Sequence, residues 1–165
     1  MTGPYTQKSV FRGAITDTST VAGYLGELGD IRIEGGKKYR LCKTGASVAA
    51  ATKWLMLDTD SDYHSVKTLA AHTNMIFAVN DSGASIAADT YFWALVEGPL
   101  TIVSEDHTAV DIAAGTPIML DTAEKVCVLA DGAVAGVELK FGTSIAQIDS
   151  EDTGDNVIWV RTFGA

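Results

Sequence analysis

The sequence predicts a mainly β protein: a small β-barrel or β-sandwich with one short helix and an extended N-terminal arm. Three observations carry this. Residues 91–96, Tyr-Phe-Trp-Ala-Leu-Val, are an unbroken apolar run, short and dense in aromatic and β-branched side chains, as strands are. Short apolar runs of this kind recur about ten times along the chain, separated by Gly, Asp, Asn and Ser turn signals. Finally, Ile86-Ala-Ala-Asp-Thr90 recurs as Val48-Ala-Ala-Ala-Thr52 and Ile112-Ala-Ala-Gly-Thr116, each copy opening an apolar run. Ala-Ala between β-branched residues is too short to nucleate a helix in water.

In an extended segment Tyr91, Trp93 and Leu95 share one face, and Phe92, Ala94 and Val96 the other. Both faces must be covered. A subunit of 165 residues has little second layer of its own, so a neighbouring copy is expected to supply it. Tyr91, Phe92, Trp93 and Leu95 are therefore the predicted oligomer interface. Gly98-Pro99 predicts a sharp break, with residues 100–103 as the next strand.

Residues 1–25 form the arm, polar and rich in Thr, Ser and Gly; residues 26–165 form the domain. No helical or strand period runs through the arm. Its Tyr5, Val10, Phe11 and Ile15 are spaced like anchors on an extended peptide, and Arg12 is available to pair with a carboxylate. Ile31-Arg-Ile33, the Gly35-Gly36 turn and Lys38-Tyr-Arg-Leu-Cys42 read as a hairpin. After Asp58-Thr-Asp-Ser-Asp62, Val66, Leu69 and Ala70 take helical spacing, with Asp60 to Asp62 as N-caps and His72 near the end. Residues 75–79, 126–129, 134–148 and 157–161 read as further strands, with an acidic loop at 149–155.

A net charge of −9 argues against nucleic acid and against an anionic membrane surface. No window is apolar enough to span a membrane, and the start lacks the apolar core of a signal peptide, which implies synthesis in a cytoplasm. Cys42 and Cys127 read as buried free thiols.

Catalytic and metal patterns fail on inspection. Asp58-x-Asp60-x-Asp62 opens like a calcium loop, but the sixth and twelfth positions are Tyr63 and Leu69 rather than Gly and Glu. His64, His72 and His107 have no second ligand at zinc spacing. Gly142-Thr-Ser-Ile-Ala146 lacks the second glycine of a nucleophile elbow. Trp54, Trp93 and Trp159 could line a sugar site, against the commoner role of core or subunit contact. No catalytic, cofactor-binding or metal-binding residues are assigned.

Four features together resemble the small head-decoration (cement) proteins of tailed bacteriophages: the hairpin at residues 29–40, the segment 86–98, Ile112-Ala-Ala-Gly-Thr116, and the ending in which Ile145-Ala-Gln-Ile148 is followed by an acidic loop and Val157-Ile-Trp-Val-Arg161. The sequence departs from that pattern at Phe92, where a small residue is expected. The resemblance implies a virion protein on the outer capsid surface, bound to the major capsid protein through the arm and commonly a homotrimer. It implies no enzymatic activity and no cofactor. A tail-tube or connector subunit and a free carbohydrate-binding β-domain are the competing readings.

Overall fold

The computed structural model describes residues 13–50, 53–58, 64–71, 74–103, 111–120, 125–127, 141–149 and 154–165. In chain order its strands are β1 (Thr18–Ser19), β2 (Ile31–Glu34), β3 (Lys37–Thr44), β4 (Trp54–Leu57), β5 (Ser65–Thr68), β6 (Ala78–Val79), β7 (Tyr91–Ile102), β8 (Pro117–Leu120), β9 (Val126–Cys127), β10 (Gly142–Ser144) and β11 (Asn156–Arg161). The described residues contain no helix. The sheet order is β2-β3-β5-β4-β6-β7-β11-β10-β8-β9, with β1 also on β7. Because β3 pairs with β7 as well as with β5, strands β3, β5, β4, β6 and β7 close into a ring. The β3–β5 junction is parallel and the others are antiparallel.

The ring separates two cores. Inside it lie Cys42, Leu55, Val66, Ala78, Phe92, Ala94 and Val96. Alternate residues of the same strands, Leu41, Trp54, Val79, Trp93 and Leu95, point outward and pack with Leu100, Ile118, Ile158 and Val160. Strand β7 is thus a wall shared by two cores of one chain. This is why its residues 91–96 are apolar on both faces. Phe92 and Trp93 are each only 4% exposed within a single subunit. The expectation that a neighbouring copy must cover this segment is corrected: the chain's own ring covers one face and its own β8–β11 half the other.

The predicted break at Gly98-Pro99 is also corrected. β7 runs straight through it, 12 residues in all from Tyr91 to Ile102. Tyr39 faces Leu95 and Lys38 faces Glu97, so Val96 is an extra residue, a bulge. The bulge reverses the strand's parity. Odd residues (Trp93, Leu95) meet the outer core before it, and even residues (Leu100, Ile102) after it. Gly98 permits the turn of the backbone at φ +134°, where a Cβ would stand 3.0 Å from the Lys37 Cα. Beyond it β7 leaves β3 and pairs with β11 from Glu97 to Ile102. Pro99 therefore sits where the β3 flank has ended, at an edge that needs no ladder donor.

The predicted helix does not form. Val66 and Leu69 have helical spacing, but Ser65–Thr68 is a strand that the ring requires between β3 and β4. Val66 faces the inner core, whereas Leu69 lies in the outer one and its N–H donates to the Trp54 carbonyl at 3.0 Å. Tertiary pairing overrides a three-residue spacing coincidence. Asp60 to Asp62 and His72 lie outside the described residues. The hairpin of β2 and β3 forms as expected, with Gly35 and Gly36 at φ +59° and +78°.

Candidate functional site

Two copies of one arch organise the sheet ends. In the first, the Thr44 hydroxyl, fully buried, donates to the Ala87 carbonyl at 2.6 Å, and the Thr44 N–H donates to the Thr90 carbonyl at 3.0 Å. Val48 and Ile86 then exchange both backbone hydrogen bonds. In the second, the Ser144 hydroxyl donates to the Ala113 carbonyl at 2.6 Å and its N–H to Thr116, while Ile148 and Ile112 exchange both backbone bonds. Asp89 and Gly115, at φ +57° and +76°, hold the same turn position. The Ala-Ala motifs are thus one leg of each arch, and a hydroxyl leg locks each. Ser144 is consequently a structural donor with its oxygen turned inward.

The arm's anchors divide. Ile15 packs, partly buried, against the chain's own outer core, so it serves the domain. Arg32 Nη1 donates to the Gly13 carbonyl at 3.1 Å, and Thr18 and Ser19 pair with Phe92 and Tyr91. The segment from Gly13 onward is therefore stitched to the domain through β2 and β7. Tyr5, Val10, Phe11 and Arg12 lie outside the described residues. Of the predicted interface residues, Tyr91 is half-buried beneath the Lys43 ammonium, and Phe92, Trp93 and Leu95 are buried.

Half-buried charged groups are paired for structural ends. Asp81 accepts from Lys37 Nζ at 2.7 Å and from the Tyr39 hydroxyl at 3.1 Å. Burial first, and this carboxylate second, push the Tyr39 phenol well above its ordinary range. Asp58, first in the aspartate run, accepts from Lys67 Nζ at 3.0 Å. No cluster of three metal-ligating side chains occurs among the described residues. The Cys42 thiol is buried in the ring, and burial pushes it up to about 12, where it is unreactive. His107 and His72 lie outside the described residues. His64 is buried at φ +71° beside Gly29 and Phe77.

The open side of the molecule is the face of β2, β11, β10, β8 and the second half of β7 that lies opposite the outer core. Register places Ile33, Lys38, Glu97 and Arg161 in one row across β2, β3, β7 and β11. A second row sets Pro99, Trp159, Thr143 and Pro117 across β7, β11, β10 and β8. Val157 stands beside it, opposite Thr101. Trp159 is 42% exposed and Ile33 76%, in contrast to the buried Trp54 and Trp93. The three tryptophans therefore do not converge on a sugar site. Sequence reasoning missed this face because Val157-Ile-Trp-Val reads as apolar at every position, like the doubly buried β7. The arches left a signal that reaches further than the Ala-Ala copies: Thr44-Gly-Ala-Ser-Val-Ala-Ala50 repeats as Ser82-Gly-Ala-Ser-Ile-Ala-Ala88.

No protein-family model matches the chain, and no curated protein does. Among solved structures, it is similar to the crystal structure of the head fiber gp8.5 N base of bacteriophage phi29. That similarity has a TM-score of 0.43 and 10% sequence identity, and it covers 74% of this chain and 92% of that one.

Proposed function

We propose that this chain is a capsid decoration protein of a tailed bacteriophage. It binds the outer surface of the head and strengthens contacts between major capsid protein subunits. One observation carries the reading: the segments on which the sequence resemblance rests come together as one unit. Residues 38–40 of the hairpin pair with residues 94–97. Residues 97–101 pair with 157–161. Ile112 bridges Ile148 in the second arch. Four scattered sequence similarities are thus one contiguous piece of architecture.

The role is structural rather than catalytic, and the buried hydroxyls, thiol and imidazole serve packing. Attachment uses the residues ahead of Gly13, with Tyr5, Val10, Phe11 and Arg12 as anchors, because the structure commits Ile15 to the domain. A homotrimer remains part of the proposal through the resemblance alone, since residues 91–96 no longer supply a reason for assembly.

The test is to mix the purified chain with undecorated heads built from the shell protein of the same genome, then sediment the heads. Co-sedimentation at a fixed stoichiometry, with heads that rupture at a higher temperature, is the expected result. Heads that sediment without the chain would refute the proposal.

A further inference from the structure

We propose that residues 162–165 form a strap that closes one end of the β3–β5–β4–β6–β7 ring and opens as a single unit while the sheet stays folded. The inference stands apart from the decoration reading. It rests on how the two ends of the ring are covered.

The strap begins where two ring strands part. β6 and β7 pair through Val79 and Leu95. Beyond that point Thr162 stands between the two walls. Its N–H donates to the Val96 carbonyl at 2.9 Å, and its buried hydroxyl donates to the Phe77 carbonyl at 2.6 Å, with the Val96 carbonyl 3.2 Å away. Phe163 and Gly164 then donate their N–H groups to the Ile76 and Phe77 carbonyls at 3.1 and 2.9 Å. The Gly164 carbonyl accepts from Nε of Arg40, a β3 residue, at 2.6 Å, and Ala165 packs against the inner core. Four residues thus tie β7, the approach to β6, and β3 together. Gly164 has to be glycine for this fit, since a Cβ would stand 2.4 Å from the Phe77 carbonyl oxygen.

The two ends of the ring are held in different ways. The first arch covers the other end, beyond the paired Cys42 and Phe92, and sinks Val48 and Ile86 into the inner core, 1% and 3% exposed. The strap adds no large apolar side chain to that core, because Phe163 is 57% exposed. Hydrogen bonds hold it instead, and each is worth little net because water takes over both partners on opening. Segments with few buried apolar contacts open below the free energy of global unfolding. The strap end is therefore the one that opens. It moves as a unit because the Ala165 N–H returns to the Thr162 carbonyl at 3.2 Å, closing the four residues into one turn. Opening uncovers Arg40 and the inner core behind it, where Cys42 lies two residues further along the same face of β3.

The experiment measures amide hydrogen exchange and thiol labelling on the full chain under native conditions, with labelling read on the peptide that carries Cys42. We expect the Thr162, Phe163 and Gly164 amides to share one opening equilibrium that is nearly independent of dilute urea, and Cys42 to be labelled through that same opening. Thr162→Val keeps the shape of the side chain and removes its hydroxyl. It should speed exchange at Phe163 and Gly164, and labelling at Cys42, about tenfold. Ser144→Ala, which loosens the second arch instead, should leave these rates unchanged. If Thr162→Val does not fold, the urea dependence in the unmodified chain decides alone. Amides that exchange progressively faster from Thr162 to Gly164 would mean simple fraying and overturn the inference. Labelling of Cys42 only at the rate of global unfolding would also overturn it, because the strap would then be no lid.

Discussion

Thr44 and Ser144 hold the same place in two copies of one arch, each with a buried hydroxyl donating at 2.6 Å to the carbonyl of the second residue in an Ile-Ala-Ala leg. In the first copy the hydroxyl leg precedes the Ile-Ala-Ala leg, and in the second it follows. That reversal explains why the Ala-Ala motifs recur at uneven spacing.

Removing either hydroxyl should destabilise the fold. Thr44→Val leaves the Ala87 carbonyl without this donor and the Thr90 N–H, which donates to Thr44 Oγ1 at 3.0 Å, without its acceptor. Ser144→Ala leaves the Ala113 carbonyl without its hydroxyl donor. We expect losses of about 1–3 kcal/mol for each, larger for Thr44→Val. Urea unfolding of both variants checks the order; a neutral Thr44→Val would contradict the arch as a lock.

Gly98→Ala should cost about 1–3 kcal/mol, because the backbone sits at positive φ and the new methyl meets the Lys37 backbone. Gly35→Ala, where a Cβ meets nothing within 4 Å, should cost less. Thermal melts of the two variants side by side test whether the crossing from β3 to β11 depends on this glycine.

Acid should weaken the fold through His64. Burial first, and the Arg40 guanidinium second, hold its imidazole below the ordinary 6.5. The unfolded chain therefore takes up the proton at a higher pH than the folded one. The contribution to stability is complete above about pH 6.5 and is lost as pH falls from there through the depressed folded value. His64→Asn, which tolerates φ +71°, should flatten the dependence of melting temperature on pH between 7.5 and 5. An unchanged slope would mean that other groups carry it.

The all-β class, the β2–β3 hairpin and the central place of residues 91–96 were legible because they rest on local signals: turn glycines and dense β-branched or aromatic runs. What those runs pack against was not. Phe92 and Trp93 look alike to a pattern whether the second layer comes from a partner or from the chain's own ring closing at β3 and β7. The helix expected over Val66 to Ala70 failed for the same reason, since strand pairing decides between the two periods in so short a stretch. Trp159 was legible as a strand residue but not as an exposed one, because its neighbours alternate apolar with apolar.

The end of the arm gives the most direct test of the account. A chain beginning at Gly13 keeps Ile15, the Arg32–Gly13 contact and β1, and so should melt within a few degrees of the full chain. A chain beginning at Val21 loses all three and should melt lower. The decisive measurement is the affinity of the 13–165 chain for undecorated heads, by co-sedimentation, beside that of the full chain. The account predicts a folded protein whose binding is abolished or severely weakened. Undiminished binding by the folded truncation would contradict the claim that residues ahead of Gly13 fasten this domain to a capsid.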